Sequence, residues 1–298
     1  LDTRFLDTLA SVISHGSIAE TARQSNLTPA AVAQRIRSLE NEFGTQLIRR
    51  SGKTVKPTEH GLAIAREGLV LLQHEKSLKA LANKDHMRGE LRVGGISSAF
   101  QGILPEVIAS VIDEYPEVNF YLLEGTSTDL YREVEADRLD AAIIIEPRFT
   151  LSKSLKWLTI REEPLILIVP EDLPDTPVEE LLTTHPFIRY DRTQWGGRLV
   201  ELYLRDAGIH PKDWIELDAL DAIAAFVSRG LGVAVVPNWA PPWPAGLKIR
   251  RIALPDQHYT RRIGVVWKHM SMRSKLIQVL TDKARAATAS NVDRRRPA

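Results

Sequence analysis

The sequence predicts an α/β protein made of an all-α N-terminal part and a larger C-terminal part of two α/β lobes. Three observations carry this expectation. Apolar residues recur at helical spacing through residues 1–82; beyond Glu90 short apolar runs alternate with helical stretches; and 298 residues is about two globular domains. The composition, 44% hydrophobic and 26% charged, excludes a disordered or collagenous chain. The longest apolar runs, such as Leu165-Ile166-Leu167-Ile168-Val169, reach strand length and stop far short of the roughly 20 residues that a membrane helix needs. Zero cysteines exclude a disulfide framework, a thiolate metal site, an iron–sulfur cluster and a cysteine nucleophile. No basic stretch followed by an apolar core stands near the start, so the expected location is the cytoplasm, with no membrane partner.

Phe5, Leu6, Leu9, Val12 and Ile13 lie at helical spacing, and His15-Gly16 breaks the pattern. Ser17 then stands where an N-cap is needed, with Glu20 at the spacing of a capping box. The second helix, over 18–24, carries Ala19 and Ala22, small residues that let another helix cross closely. Ser25-Asn26-Leu27 supplies a turn, and Thr28-Pro29 gives a cap followed by proline at the first helical position, where its missing N–H costs nothing. A third helix over 29–43 puts Val32, Ile36, Leu39 and Phe43 on its inward stripe, with Gly44 closing it. Ala30, Ala33, Gln34 and Arg37 fall on the other side. Two short helices joined by a tight turn, the second with a small and polar N-terminal face, describe a helix-turn-helix. Alanines at 30 and 33 admit such a helix to a DNA major groove about 12 Å wide, where Gln34 can reach a base edge.

Leu47-Ile48-Arg49-Arg50 and Thr54-Val55-Lys56 flank Ser51-Gly52-Lys53, which reads as two short strands around a basic turn, a wing. Lys53 can reach the minor groove or pair with phosphate, contacts that add affinity and salt dependence more than sequence choice. The net charge of +1 argues neither for nor against a polyanionic partner, but between Arg23 and Lys56 seven bases face two acids, Glu40 and Glu42. Such a stripe is either a phosphate footprint or a solvated charged face.

The runs Gly16-Ser17-Ile18-Ala19-Glu20-Thr21-Ala22, Leu27-Thr28-Pro29-Ala30-Ala31-Val32-Ala33-Gln34-Arg35-Ile36-Arg37-Ser38-Leu39-Glu40 and Phe43-Gly44-Thr45-Gln46-Leu47-Ile48-Arg49-Arg50, followed by Thr58-Glu59-x-Gly61, resemble the winged helix-turn-helix of LysR-type transcriptional regulators. About sixty residues match without a gap. Ile18 and Ile48 stand where phenylalanine is commoner, and Ala33 where the family often has serine. The resemblance implies double-stranded DNA as partner, with Ser17 and Thr28 at helix starts, Pro29, Ala30, Ala33, Gln34, Arg35 and Arg37 toward groove or phosphate, and Arg50 and Lys53 acting from the wing. It also implies a homo-oligomer, dimer or tetramer, with RNA polymerase as a further partner, and a sensor domain similar in fold to periplasmic solute-binding proteins.

From 58 to about 81 there is no proline, and Leu62, Ala65, Leu69 and Leu72 follow a seven-residue repeat flawed by Gly68, which predicts a long amphipathic helix needing a partner for its stripe. In proteins that this one resembles, the corresponding helix pairs two subunits. Residues 83–90, polar and containing Gly89, read as a hinge. Then come a strand over 91–96, a helix from 103, a strand over 118–123, a helix over 128–137 and a strand over 141–145, a βαβαβ unit and the signature of a mostly parallel sheet. A second set follows, with strands over 165–169, 187–190, 214–217 and 233–236, and helices near 197–207 and 220–229. A strand over 262–267 and a helix over 274–289 close the chain. The expected organisation is a DNA-binding domain over 1–57, a dimerising helix over 58–82, a hinge over 83–90 and an effector domain over 91–290, with a disordered tail over 291–298. Its lobe I is expected at about 91–160 and 265–290, and its lobe II at about 161–264.

A cleft between two such lobes is where α/β proteins bind small ligands. Ser97 and Ser98 follow the first strand and either cap the next helix, contact a ligand, or do both, and Gln101 lies one turn on. Thr126 and Ser127 hold the matching place after the second strand, with the same alternatives. In lobe II, Tyr190, Arg192 and Trp195 lie in or beside the loop after a strand. Arg192 either grips a carboxylate or forms a surface salt bridge, and Trp195 is a ligand wall or a packed rim. An anionic effector of unknown identity is expected, with no cofactor and no metal.

Enzymatic readings find no support. Gly95-Ile96-Ser97-Ser98-Ala99 lacks the final glycine of a nucleophile elbow, His74-Glu75 meets Leu78 where a zinc helix has its second histidine, and Gly230-Leu231-Gly232 precedes a strand that a dinucleotide fingerprint would follow. The expected function is DNA-binding transcriptional regulation modulated by the effector. The alternative is a solute-binding module whose N-terminal helices serve assembly.

Overall fold

The computed structural model describes residues 1–51, 54–82 and 87–293, and the side chains of these except at 50, 51, 73, 76, 77, 79–82 and 289–293. Two compact units divide the chain at Asp85/His86. Among the described residues no helix is long and apolar enough to cross a membrane.

The first unit starts with helices α1 (Thr3–His15), α2 (Ile18–Gln24) and α3 (Pro29–Phe43), continues through strands β1 (Ile48–Ser51) and β2 (Thr54–Pro57) and ends in helix α4 (Glu59–Ala82). Its core is Leu6, Leu9, Val12, Ala22, Val32, Ile36, Leu39, Leu47 and Ala65, which joins all four helices and the wing. Gly16 and Gly44 terminate α1 and α3 at φ 61° and 66°, left-handed values that cost glycine nothing. Phe43, expected on the inward stripe of α3, is 41% exposed, because the last turn has passed the core. The repeat expected along α4 mixes two faces. Gly61, Ala65 and Gly68 are buried, Gly68 against Leu6 of α1, while Leu62 and Leu69 are about half exposed on another side. Gly68 is thus a place of close approach between α1 and α4.

The second unit holds two hydrophobic cores, one per lobe. Lobe I contains β3 (Gly89–Gly95), α5 (Ser97–Gly102), α6 (Leu104–Glu114), β4 (Val118–Glu124), α7 (Ser127–Glu135) and β5 (Ala141–Ile145). Lobe II contains α8 (Val178–Thr184), β7 (Phe187–Tyr190), α9 (Trp195–Asp206), β8 (Asp213–Leu217), α10 (Leu220–Ser228), β9 (Ala234–Pro237) and β10 (Ile249–Ala253). Strands β6 (Leu155–Pro170) and β11 (Thr260–Lys268) lead from one lobe to the other, and α11 (Ser274–Asp293) returns to pack on lobe I. The main sheet runs β10-β6-β11-β5-β3-β4, with β9 also on β6, and β7 pairs β8 separately.

The expected mostly parallel sheet is corrected to a mixed one. β3 is parallel to β4 and β5, and β7 to β8, but β6 is antiparallel to β9, β10 and β11, and β11 to β5. The cause is β6, which is 16 residues long where a strand over 165–169 was expected. Its lobe I half, with Lys156, Arg161, Glu162 and Glu163, is too charged to read as a buried strand. Helix α8 and strand β10 were also unforeseen, the first because it spans seven residues, the second because Arg250 and Arg251 fill its middle. The first passage between lobes lies inside β6, between Ile160 of one core and Leu165 of the other, and the second between Leu254 and Ile263, so β11 starts lobe I a few residues before the expected 265. Residues 89–90 of the expected hinge belong to β3 and 291–293 of the expected tail to α11, while 83–86 and 294–298 lie outside the described residues.

A β-carbon at Gly61 would sit 1.9 Å from the carbonyl oxygen of Leu47. Gly61→Ala is therefore expected to lower the stability of the first unit by about 1–3 kcal/mol through overpacking, read as a lower urea midpoint for its transition.

Candidate functional site

The N-terminal site is built from helix ends. The Ser17 hydroxyl accepts from Glu20 N–H at 3.3 Å and that of Thr28 from Ala31 N–H at 3.1 Å, so both residues cap as expected. The reciprocal half of the capping box is missing, because the Glu20 carboxylate turns to Arg23 and to Gln24, at 3.1 Å. On α3, Pro29, Ala30, Gln34 and Arg37 are exposed and Ala33 is half-buried, and positions 30, 33, 34 and 37 share one helix face. Arg35 is a correction. Its Nη1 donates to Thr8 Oγ1 at 3.1 Å and its guanidinium lies 5.8 Å from the Phe5 ring centre, so it braces α3 against α1 instead of facing a groove.

The wing is tied down from behind. Glu40, on α3, accepts at one oxygen from Leu47 N–H at 2.9 Å and Ile48 N–H at 3.3 Å, and Val55 N–H donates to Gly16 O at 2.8 Å. Strands β1 and β2 pair Arg49 with Lys56 and Arg50 with Val55. The side chain of Arg50 and the whole of Lys53 lie outside the described residues.

In the second unit, a cavity of about 440 Å³ opens between the lobes. Ser97, Ser98, Gln101, Thr126 and Ser127 line it from lobe I, and Tyr190 and Trp195 from lobe II, which brings together seven of the eight expected effector residues. Their roles separate on inspection. Ser97 and Ser98 do not cap α5, whose N-cap is Ile96, without a side-chain bond. Thr126 does cap α7, accepting from Asp129 N–H at 3.2 Å and donating to its carboxylate at 2.8 Å. Ser127 is buried and accepts from Ile145 N–H at 3.2 Å, so it holds β5 beside α7. Trp195 is both wall and rim, lining this cavity while meeting Phe149 of lobe I edge-on with 5.6 Å between ring centres.

Arg192 takes the second of its two alternatives, the salt bridge, so its place in the effector site is the second correction. Its guanidinium donates to Glu216 at 3.0 and 3.1 Å and to Asp213 at 2.8 Å, and it does not line the cavity. The cation of the lining is instead Arg261, unforeseen in the sequence. It lies opposite Glu163 in the β11–β6 pairing, bonds that carboxylate from Nε at 2.8 Å and Nη2 at 2.5 Å, and reaches Ser98 Oγ at 3.1 Å. Arg261 is 2% exposed and Glu163 1%. Burial alone would lower the pKa of Arg261, but Glu163 and Tyr190 hold it above its usual value, while burial pushes the Tyr190 hydroxyl up. The second oxygen of Glu163 accepts from Arg161 Nε and Ala240 N–H, both at 3.0 Å. Gln194 and three acids that sequence reasoning also missed, Glu124, Asp218 and Asp221, complete the polar lining. Burial raises the Asp218 pKa and the nearby Asp191 charge adds to the rise. Among the described residues no group of three or more His, Asp or Glu could hold a metal ion.

Glu163→Gln would leave two arginines without their shared counter-charge. The second unit is expected to lose about 3–5 kcal/mol, measured by chemical unfolding, as when one partner of a buried ion pair is removed.

The comparisons agree with this geometry. Residues 3–62 match the family described as "Bacterial regulatory helix-turn-helix protein, lysR family", and residues 84–289 match "LysR substrate binding domain". The HTH-type transcriptional regulator TtuA of Agrobacterium vitis is 30% identical over 227 residues, 73% of this chain and 74% of its own length. CzcR of Bacillus subtilis strain 168 is 29% identical over 249 residues, 80% of this chain and 81% of its own. Among solved structures, full-length CbnR in complex with its target DNA superposes with a TM-score of 0.72 at 18% identity, covering 96% of this chain and 100% of that one. A full-length OxyR variant of Pseudomonas aeruginosa gives 0.70 at 22%, covering 96% and 95%. The helix-turn-helix match sets aside the reading as a solute-binding module without a DNA role. With its capped reading helix, its wing and its two-lobed cleft, the chain belongs to the LysR family of DNA-binding transcriptional regulators and is not an enzyme.

Proposed function

We propose that this protein, as a homodimer or homotetramer in the cytoplasm, grips a roughly palindromic operator through α3 and the wing and alters that grip when a small molecule fills the cleft between the lobes. The observation that carries the reading is the α3 face of Ala30, Ala33, Gln34 and Arg37, with Gln34 and Arg37 exposed and the helix start held by the Thr28 cap. Small residues clear the way into the groove, Gln34 offers a bidentate amide to a base edge, and Arg37 offers charge to phosphate. Arg50 and Lys53 act from the wing on the backbone. Two-fold symmetry then sets half-sites about one helical turn apart, on the order of 34–36 Å, or a multiple of it. The exposed Leu62 and Leu69 of α4 support a second copy as the cover of that face.

The cleft works by differential affinity. A ligand that binds one lobe arrangement more tightly shifts the population toward it, and a coupling of about 1–3 kcal/mol changes DNA affinity about 5–150-fold. No cofactor takes part, and RNA polymerase is the partner through which a bound promoter is switched.

The reading is tested by binding the full chain to the DNA flanking its own gene at several salt concentrations. Gln34→Ala is expected to relax sequence choice at one position by about 1–3 kcal/mol, and Arg37→Ala and Lys53→Ala each to weaken binding on all sequences and reduce the salt slope by about one. Binding no tighter than to random DNA, with no site recovered from random duplexes either, would overturn it.

A further inference from the structure

We propose that the ligand of the cleft presents a protonated amine to it, so that the effector is a small cationic or zwitterionic compound and not the anion expected from the sequence. The inference rests on the cleft being the effector site and names the class of ligand for it.

Glu124 ends β4 in lobe I, while Asp218 and Asp221 flank the start of α10 in lobe II, and all three line the cavity. Among the described residues none of the three makes an ion pair, although the Arg261 charge acts on Asp218; Asp221 accepts from Ala222 N–H at 2.9 Å. Other carboxylates of this domain do find arginines: Asp213 and Glu216 hold Arg192, and Glu163 holds Arg261 and Arg161. Several other carboxylates among the described residues of the domain also lack an ion pair, but Glu124, Asp218 and Asp221 line one cavity.

The charge of the cavity follows. Among the described residues Arg261 is its one lining cation, and that charge is already engaged by Glu163. Counting Arg161 as well, the buried triad carries one net positive charge against three carboxylates. A ligand anion would enter a site where negative charge is in excess and the guanidinium is occupied. A ligand ammonium would find three carboxylate acceptors that no ion pair engages, two of them exposed at the cavity wall. The rings of Tyr190 and Trp195 line the same space, and aromatic faces attract cations. A volume of about 440 Å³ suits a small metabolite, whose remaining polar atoms meet Ser97, Gln101 and Thr126. Because the carboxylates come from both lobes, an ammonium between them engages both walls at once and thereby favours the closed arrangement.

The test is thermal stabilisation and calorimetric titration of the full chain with primary amines of two to six carbons, including diaminobutane and 4-aminobutanoate, beside carboxylates and alcohols of matched length such as succinate and butanediol. The expected result is stabilisation by amines and not by their matched carboxylates, with binding weakened about tenfold or more in Asp218→Asn and in Asp221→Asn, the range for loss of a charge-assisted hydrogen bond. Glu124→Gln, on the other lobe, provides a second variant should either aspartate substitution unfold the domain. A carboxylate that stabilises more than its matched amine, silence across all the amines, or amine binding unchanged in all three variants would overturn the inference. DNA binding measured on the same samples separates the readings: specific DNA binding without an amine response sinks the ligand class alone, whereas loss of specific DNA binding by the unsubstituted chain sinks the regulator reading.

Discussion

The ion pair between Glu163 and Arg261 is the constraint on which the effector domain turns. The two residues face each other on β6 and β11, the strands that carry the chain from one lobe to the other, and both are almost completely buried. Two ions out of water are costly unless each is paired and its remaining polar atoms are satisfied. Here Arg161, Ala240 N–H, Ser98 and Tyr190 supply those partners. The pair therefore draws together lobe I through Ser98, lobe II through Tyr190, and the crossover between them. It also shapes the electrostatics of the cleft, because the Arg261 guanidinium is bonded to Glu163 while three further acids line the same cavity.

An analogous division of labour organises the first unit. Neighbouring residues of α3 have opposite duties: Gln34 and Arg37 are exposed, whereas Arg35, about 100° around the helix from Gln34, reaches back to Thr8 of α1. Glu40 extends the same logic to the wing by bonding the backbone at the start of β1. The reading helix, its brace and its wing are thus one packed body, so the exposed face of α3 is presented by a rigid support. Helix α4 is joined to that body by small residues, Gly61 against the Leu47 carbonyl and Gly68 against Leu6.

Local features were legible in the sequence because their partners lie a few residues away. The caps at Ser17 and Thr28, proline at the start of α3 and glycine at its end form within one turn of chain, and the bounds 29–43 were recovered as written. The cavity residues at 97, 98, 101, 126, 127, 190 and 195 were legible for a related reason. Loops at strand ends face the cleft in any such lobe, whatever their partners. Even there the finer roles were only partly read: Thr126 takes the cap that was one of its alternatives, but Ser127 is a brace for β5 and Ser98 is held by an arginine 163 residues away.

What the sequence by itself determined, then, is the order of elements, the helix-turn-helix and the strand ends that line the cleft, all consequences of short-range periodicity and turn chemistry. Tertiary structure alone decided which charges meet. Glu163 and Arg261 stand 98 residues apart, and Arg192 is 24 from Glu216, so nothing local marks the first arginine as the cavity's cation or the second as a surface clamp. The mixed sheet was hidden for the same reason. The charged half-strand 155–163 of β6 takes its place in the sheet because Lys156 and Glu162 stay exposed while β11 supplies backbone partners and Arg261 as the counter-charge to buried Glu163.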